Sequence, residues 1–335
     1  MSQLKVGLLG LGRGGQLLAA ALQRSSWCEL TAVASTQPQR LRAFADAYPN
    51  INVYNDYRAL IAGSGLDALF IAIPPFLRPS YLAMAAERQL PVWMLGPPLA
   101  NFGEAQIAVE RFRRAECPVV VYRPWGIEPA LHPNSLGLDQ LGRFFLADGA
   151  VHTWWEGDLD WRGEADRGGG GLLDRGYTLI DLMIQVMGLP SRVYAAGVRD
   201  AQGRRQPYAT EDVAALVCHF GDAGVATVSV SRASGPEGSL LRFHAPGGTL
   251  TIDDQRVTVS DRTGTTVIEE HPREGNPLLP AIEDFLGRLR LGRPYRLSST
   301  LKEHLPTMAV LQAAYLSMKT GQPEAPGAIV DMHRV

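Results

Sequence analysis

The first 123 residues switch repeatedly between two hydrophobic periods. Leu4–Gly10 is a short run with no regular polar alternate, as expected of a strand covered on both faces. Over Gly12–Arg24 leucines and alanines recur at helical spacing instead. Leu30–Ala34 predicts the next strand, and Pro38–Tyr48 the next helix, with Pro38 in its first turn. Leu66–Ile73, Val92–Leu95 and Val119–Tyr122 repeat the strand pattern, and helical stretches at 79–89 and 102–115 separate them. This alternation predicts a parallel sheet with helices on both faces.

Beyond Tyr122 the pattern changes. Glu128–Leu141 and Leu172–Met187 predict helices. From Arg192 to Glu270 short runs such as Val213–Phe220 and Val225–Ser231 are broken by turns such as Gly221-Asp222-Ala223-Gly224. Two helices, at 277–291 and 298–319, are expected to close the chain. The whole reads as an α/β protein. A Rossmann-type domain over 1–123 precedes an α+β domain over 124–335, whose mostly antiparallel sheet carries helices on one side only. An open face bearing Val225, Thr227, Val228 and Val230 would need cover, which predicts a homodimer or homotetramer.

The first turn carries the clearest chemistry. Gly10-Leu11-Gly12-Arg13-Gly14-Gly15 fits G-x-G-x-x-G between a predicted strand and a predicted helix. Gly10 would make the tight turn, Gly12 would admit a pyrophosphate, and Gly15 would let helix and strand pack closely. The helix N-terminus then offers free N–H groups to phosphate. The second strand ends at Ala34-Ser35-Thr36, where an NAD site normally carries the carboxylate that holds the ribose 2′-hydroxyl. Its absence, with Arg40 and Arg13 nearby, favours NADP, with NAD as the alternative.

Composition changes this picture little. Hydrophobic residues make up 46% and the net charge is −2, without the basic excess of a nucleic-acid partner. Cys28, Cys117 and Cys218 are far apart and read as free thiols in a reducing compartment. Histidines lack metal spacing, so no metal is expected. No apolar run approaches the length of a membrane span. The N-terminus leads straight into a strand, so a cytoplasmic protein with a small-molecule substrate is expected.

The chain resembles the glucose–fructose oxidoreductase/inositol dehydrogenase (Gfo/Idh/MocA) family over Lys5–Gly15, Asp67–Pro74, Pro91–Ala100, Gly168–Gly188, Glu211–Ser231 and Asn276–Pro323. The resemblance implies a Rossmann domain followed by an open-faced sheet domain. It also implies NAD(P)-dependent oxidation or reduction of a sugar-like or other small polar substrate. Ile73, Pro74, Gly96 and Pro97 would border the cofactor.

Departures from the family's pattern fall on its acid–base groups. The family's Glu-Lys-Pro is Gly96-Pro97-Pro98 here, and the chain's lysines are only Lys5, Lys302 and Lys319. After Gly168–Gly171 the family's Asp, His and Asp positions hold Asp174, Thr178 and Asp181, expected on one helix face. A third family histidine corresponds to Arg78. The proton would then pass through Asp174 or Tyr177, with Thr178, Asp181, Tyr122 and His152 as substrate contacts. The competing reading is a nucleotide-binding sensor, regulator or partner subunit without turnover.

Overall fold

The computed structural model describes residues 3–63, 65–123, 141–155, 160–164, 167, 169–201, 203, 209–270, 276–292 and 298–332. The chain divides into two units. One comprises Met1–Leu99, Glu104–Gly126 and Glu274–Glu303; the other comprises Ala100–Gly103, Ile127–Arg273 and His304–Val335.

The first unit alternates β1 (Leu4–Leu9), α1 (Arg13–Arg24), β2 (Cys28–Ala34), α2 (Pro38–Ala47), β3 (Asn52–Tyr54), α3 (Tyr57–Gly63), β4 (Ala68–Ile71), α4 (Arg78–Glu87), β5 (Val92–Leu95), α5 (Phe102–Arg114) and β6 (Val119–Tyr122). Its strands lie in the order β6-β5-β4-β1-β2-β3, all parallel. Val6, Leu8, Phe70 and Trp93 are fully buried because helices cover both faces of the sheet. The short strand β3 was not predicted, since Asn52-Val53-Tyr54 is too brief for a clear period.

The expected division at residue 123 leaves out a later segment of the first unit, Glu274–Glu303. Chain from the far end returns to the first sheet. Residues 298–319 were expected to be one helix, but β15 (Ser298–Thr300) pairs antiparallel with β6. Helix α7 (Leu279–Leu291) puts Ile282, Phe285 and Leu286 into the same apolar cluster as Leu18 and Leu22 of α1. Propensity could not reveal this, because burial against a distant element decided it.

The second unit contains β7 (Leu146–Trp154), α6 (Tyr177–Met187), β8 (Arg192–Val198), β9 (Val213–His219), β10 (Val225–Ser231), β11 (Ala233–Ala245), β12 (Gly248–Asp253), β13 (Arg256–Asp261), β14 (Gly264–Glu270), α8 (Leu305–Thr320) and α9 (Pro326–Met332). Its strands run β14-β13-β12-β11-β7-β10-β9-β8, antiparallel except for β7 beside β10. The helix expected at 128–141 falls on 124–140, outside the described residues.

Alternation along β10 corrects the expected open face. Val228 and Val230 are buried, whereas Val225 and Thr227 point to the exposed side. Cys28 and Cys218 are buried free thiols, pushed up to about 11 and about 12 by burial.

Candidate functional site

The first unit gathers its predicted residues at the carboxyl ends of β1, β2, β4 and β5. Strand β1 is flanked by β2 on one side and β4 on the other, so the strand order reverses there, at the position where ligands bind open α/β sheets. Gly10 has φ +99, and a Cβ on it would lie 2.7 Å from the Ala72 carbonyl oxygen. A Cβ on Gly15 would run into the Gly10 carbonyl. Gly12 differs: its Cβ would meet only the Arg40 guanidinium, at 3.4 Å. Gly12 also caps α1 without any side-chain bond. The helix therefore presents its first N–H groups and its dipole to an open place beside an arginine, which fits a dinucleotide pyrophosphate.

At the end of β2, Ser35 is buried and its Oγ accepts the Gln37 N–H. Ser35 thus shapes the turn, and the exposed groups beside it are Thr36 and Arg40. Loops after β4 and β5 bring Ile73, Pro74, Gly96 and Pro97 around one side chain, Arg78. Its Nε donates to the Ile73 carbonyl at 2.9 Å, and its Nη1 to those of Leu95 and Pro97 at 2.7 Å and Pro98 at 3.1 Å.

Tyr122 does not behave as a substrate contact. Its ring packs 5.6 Å from that of Trp93 and its hydroxyl reaches the Pro277 carbonyl at 3.5 Å. Burial pushes its phenol up to about 12, which suits a core residue.

In the second unit the expected Asp174–Thr178–Asp181 stripe is broken. A π-turn over Leu172–Gly176 precedes α6, so the helical phase assumed from spacing is lost at its first member. Thr178 is partly exposed, and the Asp174 side chain is mostly buried, 12% exposed. Asp181 is buried: its Oδ1 accepts the Thr307 hydroxyl at 2.6 Å and lies 3.0 Å from His304 Nδ1, while its Oδ2 accepts from Gln185 at 2.8 Å. Tyr177 is also buried, its hydroxyl 2.5 Å from His304 Nδ1. Both side chains are therefore committed to helix–helix contacts, which corrects a substrate role for Asp181 and an acid role for Tyr177. His304 was not singled out from the sequence; no spacing signals a partner 123 residues from Asp181.

Asp174 keeps different company. Arg162 Nε donates to its Oδ1 at 3.2 Å. Arg175 Nε lies 3.2 Å from its Oδ2, yet neither of those two buried atoms completes a hydrogen bond. The Arg162 guanidinium lies over Trp155 at 4.9 Å and over Trp161 at 4.4 Å, a cation–π arrangement on two indoles. Neither arginine was predicted.

The backbone of Arg162 is held as firmly. Its carbonyl accepts from Gly170 N–H at 3.2 Å, Thr210 Oγ1 at 2.8 Å and Arg232 Nη1 at 3.3 Å. Arg232 in turn forms a wholly buried ion pair with Asp212, 3.3 Å apart. A Cβ on Gly169 would strike the Arg162 carbonyl, so this glycine run is where the Arg162 backbone rests. Glu211 accepts the Leu172 N–H at 2.8 Å and the Tyr315 hydroxyl at 3.1 Å. Burial raises its carboxyl above the ordinary value, against the pull of those bonds.

His152 lies near the end of β7. Ala147 and Val151 of β7 are buried, and a Cβ on Gly149 would touch Leu179 of α6. His152 alternates to the opposite face, where its Nδ1 meets Ser234 Oγ at 3.1 Å. No group of His, Cys, Asp or Glu among the described residues could hold a metal ion, and no described helix is long and apolar enough to cross a membrane.

Two family models match the chain: an oxidoreductase family with an NAD-binding Rossmann fold over residues 4–123, and a GFO/IDH/MocA C-terminal domain over 138–251. The chain is 25% identical to a D-apiose dehydrogenase of Paraburkholderia graminis, over 96% of this chain and 89% of that protein. It is 29% identical to a D-xylose 1-dehydrogenase (NADP(+)) of Haloferax volcanii, over 56% of this chain and 59% of that protein. An oxidoreductase from Agrobacterium radiobacter, solved with NAD+, L-tartaric acid and magnesium, has the same fold. Its TM-score is 0.83 at 21% identity, covering 98% of this chain and 100% of that one.

Proposed function

The chain belongs to the GFO/IDH/MocA family of NAD(P)-dependent oxidoreductases, and from that premise we propose that it moves a hydride between NADP and the carbinol carbon of a small sugar-type substrate. The observation that carries this reading is the open place above Gly12, bounded by the Arg40 guanidinium and the uncapped start of α1. A sugar-type substrate is supported by the D-apiose and D-xylose dehydrogenases among the relatives.

A nicotinamide bound here would accept the hydride in alcohol oxidation and return it in carbonyl reduction. Gly10 and Gly15 shape the turn that holds the dinucleotide backbone, and the N–H groups of α1 with Arg40 meet its phosphates. Thr36 and Arg40 suit a 2′-phosphate, and β2 ends at Ala34, followed by Ser35-Thr36, without the carboxylate that would repel one. One phosphate–arginine bond would favour NADP by about 1–3 kcal/mol.

Oxidation of an alcohol also releases the hydroxyl proton, which a side chain or water must take. Pro97 has no ionisable group, and a threonine hydroxyl such as Thr178 is no base near neutral pH. Asp174 remains. Its Oδ2 lacks a hydrogen bond, although Arg162 and Arg175 hold the carboxylate in place. Asp174 therefore receives the proton directly or through water, and returns it when a carbonyl is reduced.

The test is a fluorescence titration of NADPH and NADH into the protein and into Gly12→Val, at one salt concentration. Wild type should bind NADPH more tightly than NADH, and the variant should bind neither. Equal binding by both proteins, or none by wild type, would overturn the site. Tighter NADH binding would remove the NADP preference alone.

A further inference from the structure

The di-proline turn after β5 poses a problem that one side chain solves. Pro97 and Pro98 have no N–H, so neither can hold the turn through a backbone donor. These two residues offer carbonyl acceptors only. Arginine is the complementary group, with five donors in a rigid fork and no acceptor. Arg78 opens α4, and side chains in a helix lean toward its N-terminus. The guanidinium is thereby directed back at the strand ends.

There it is buried, and it collects the carbonyls of Leu95, Pro97 and Pro98 from one loop and of Ile73 from the other. A buried guanidinium is costly unless its donors are used. The geometry is therefore specified from both sides: the turn needs donors and the cation needs acceptors. Lysine could not do the same, because a point-like ammonium cannot reach acceptors on two loops in one plane.

We propose that Arg78 is a positioning residue for the nicotinamide half of the cofactor: it locks the loops after β4 and β5 into one surface. This rests on the dinucleotide reading above. Those loops lie on the β4–β5 side of the strand-order reversal, while the phosphate loop and Arg40 lie at β1 and α2. Arg78 touches neither of the latter in any of these bonds. Its loss should therefore weaken mainly contacts made beyond the pyrophosphate.

The experiment compares each reduced cofactor with a fragment lacking nicotinamide: NADPH with 2′-phospho-ADP-ribose, and NADH with ADP-ribose. Dissociation constants are measured by calorimetry for wild type and Arg78→Lys, with the melting temperature recorded for each. Arg78→His serves in the same way if the lysine variant does not fold. The expected result is a loss of about tenfold for intact cofactor, the size of one charge-assisted hydrogen bond, with fragment affinity unchanged. A merely structural arginine would weaken both ligands equally or neither, and either result overturns the proposal. Wild type that binds neither ligand overturns the dinucleotide reading, and this inference with it. Wild type that binds both equally overturns the nicotinamide-side role alone.

Discussion

Two glycine runs open helices in this chain, and they end up as opposites. At Gly12–Gly15 no side chain caps α1, and the space above Gly12 is open but for Arg40. At Gly169–Gly171 the helix start is covered. Glu211 takes the Leu172 N–H, Tyr315 the Leu173 N–H, and the Glu211 carbonyl the Gly171 N–H. A Cβ on Gly170 would lie 2.5 Å from the Tyr315 hydroxyl. The first run leaves its helix start uncovered; the second is a tight fit that positions Arg162 and, through it, Asp174. Glycine content alone does not separate the two. The covering groups do, and they sit 39 and 142 residues away in the chain.

The sharpest way to break this comparison is to loosen the second run from below. Arg232→Met removes a donor to the Arg162 carbonyl and leaves Asp212 buried without its cation. Removing one partner of such a pair costs about 3–5 kcal/mol. Urea unfolding should show a loss of that order. A loss below about 1 kcal/mol, on the surface ion-pair scale, would mean that the ion pair does not support the Arg162 carbonyl.

Next in size is the role assigned to Asp174 over Tyr177. Asp174→Asn should lower turnover by about 100-fold or more, the usual worth of a positioned base, with cofactor affinity unchanged. Tyr177→Phe removes only the hydroxyl that meets buried His304. It should reduce stability while turnover stays near wild type. The opposite pattern in steady-state rates would return the proton to Tyr177.

The smallest effect concerns the exposed face of the second sheet. Burial alone would raise the Asp148 carboxyl, but hydrogen bonds from Arg242 at 2.9 Å and His244 at 2.8 Å bring it below its ordinary value. A lowered folded-state value means the stabilisation is complete above the unfolded carboxylate range. It is lost as pH falls through the folded value. The stability difference between wild type and Asp148→Asn should be under about 1 kcal/mol at pH 7, as for exposed pairs, and should vanish on acidification below pH 4. A difference that grows with acid would contradict the assignment.

Legibility followed contact distance. Except for β3 and α3, the Rossmann strands and helices were readable because each declares itself within a dozen residues, through period and a glycine turn. The glycine turn after β1 was readable for the same reason. The buried cluster around His304 was not, since Tyr177 and Asp181 reach His304, and Thr307 reaches Asp181, across more than a hundred residues. Asp174 kept its predicted candidacy, whereas its arginine partners carried no motif. For His152, strand alternation shows that two faces exist without showing which one the helices will cover.

Local order therefore determined three things here: the alternating β/α frame of residues 4–122, the glycine turn at its first strand, and the loss of ionisable groups at Pro97 and Thr178. Each depends on residues a few positions apart or on chemistry a side chain lacks wherever it lies. Tertiary structure alone decided that 298–300 completes the first sheet as β15, that Arg78 clamps two loops, and that one glycine run stays open while the other is filled. Those outcomes depend on which buried donors find which acceptors. Burial makes an unpaired polar group expensive, and only the folded chain brings its distant partner within reach.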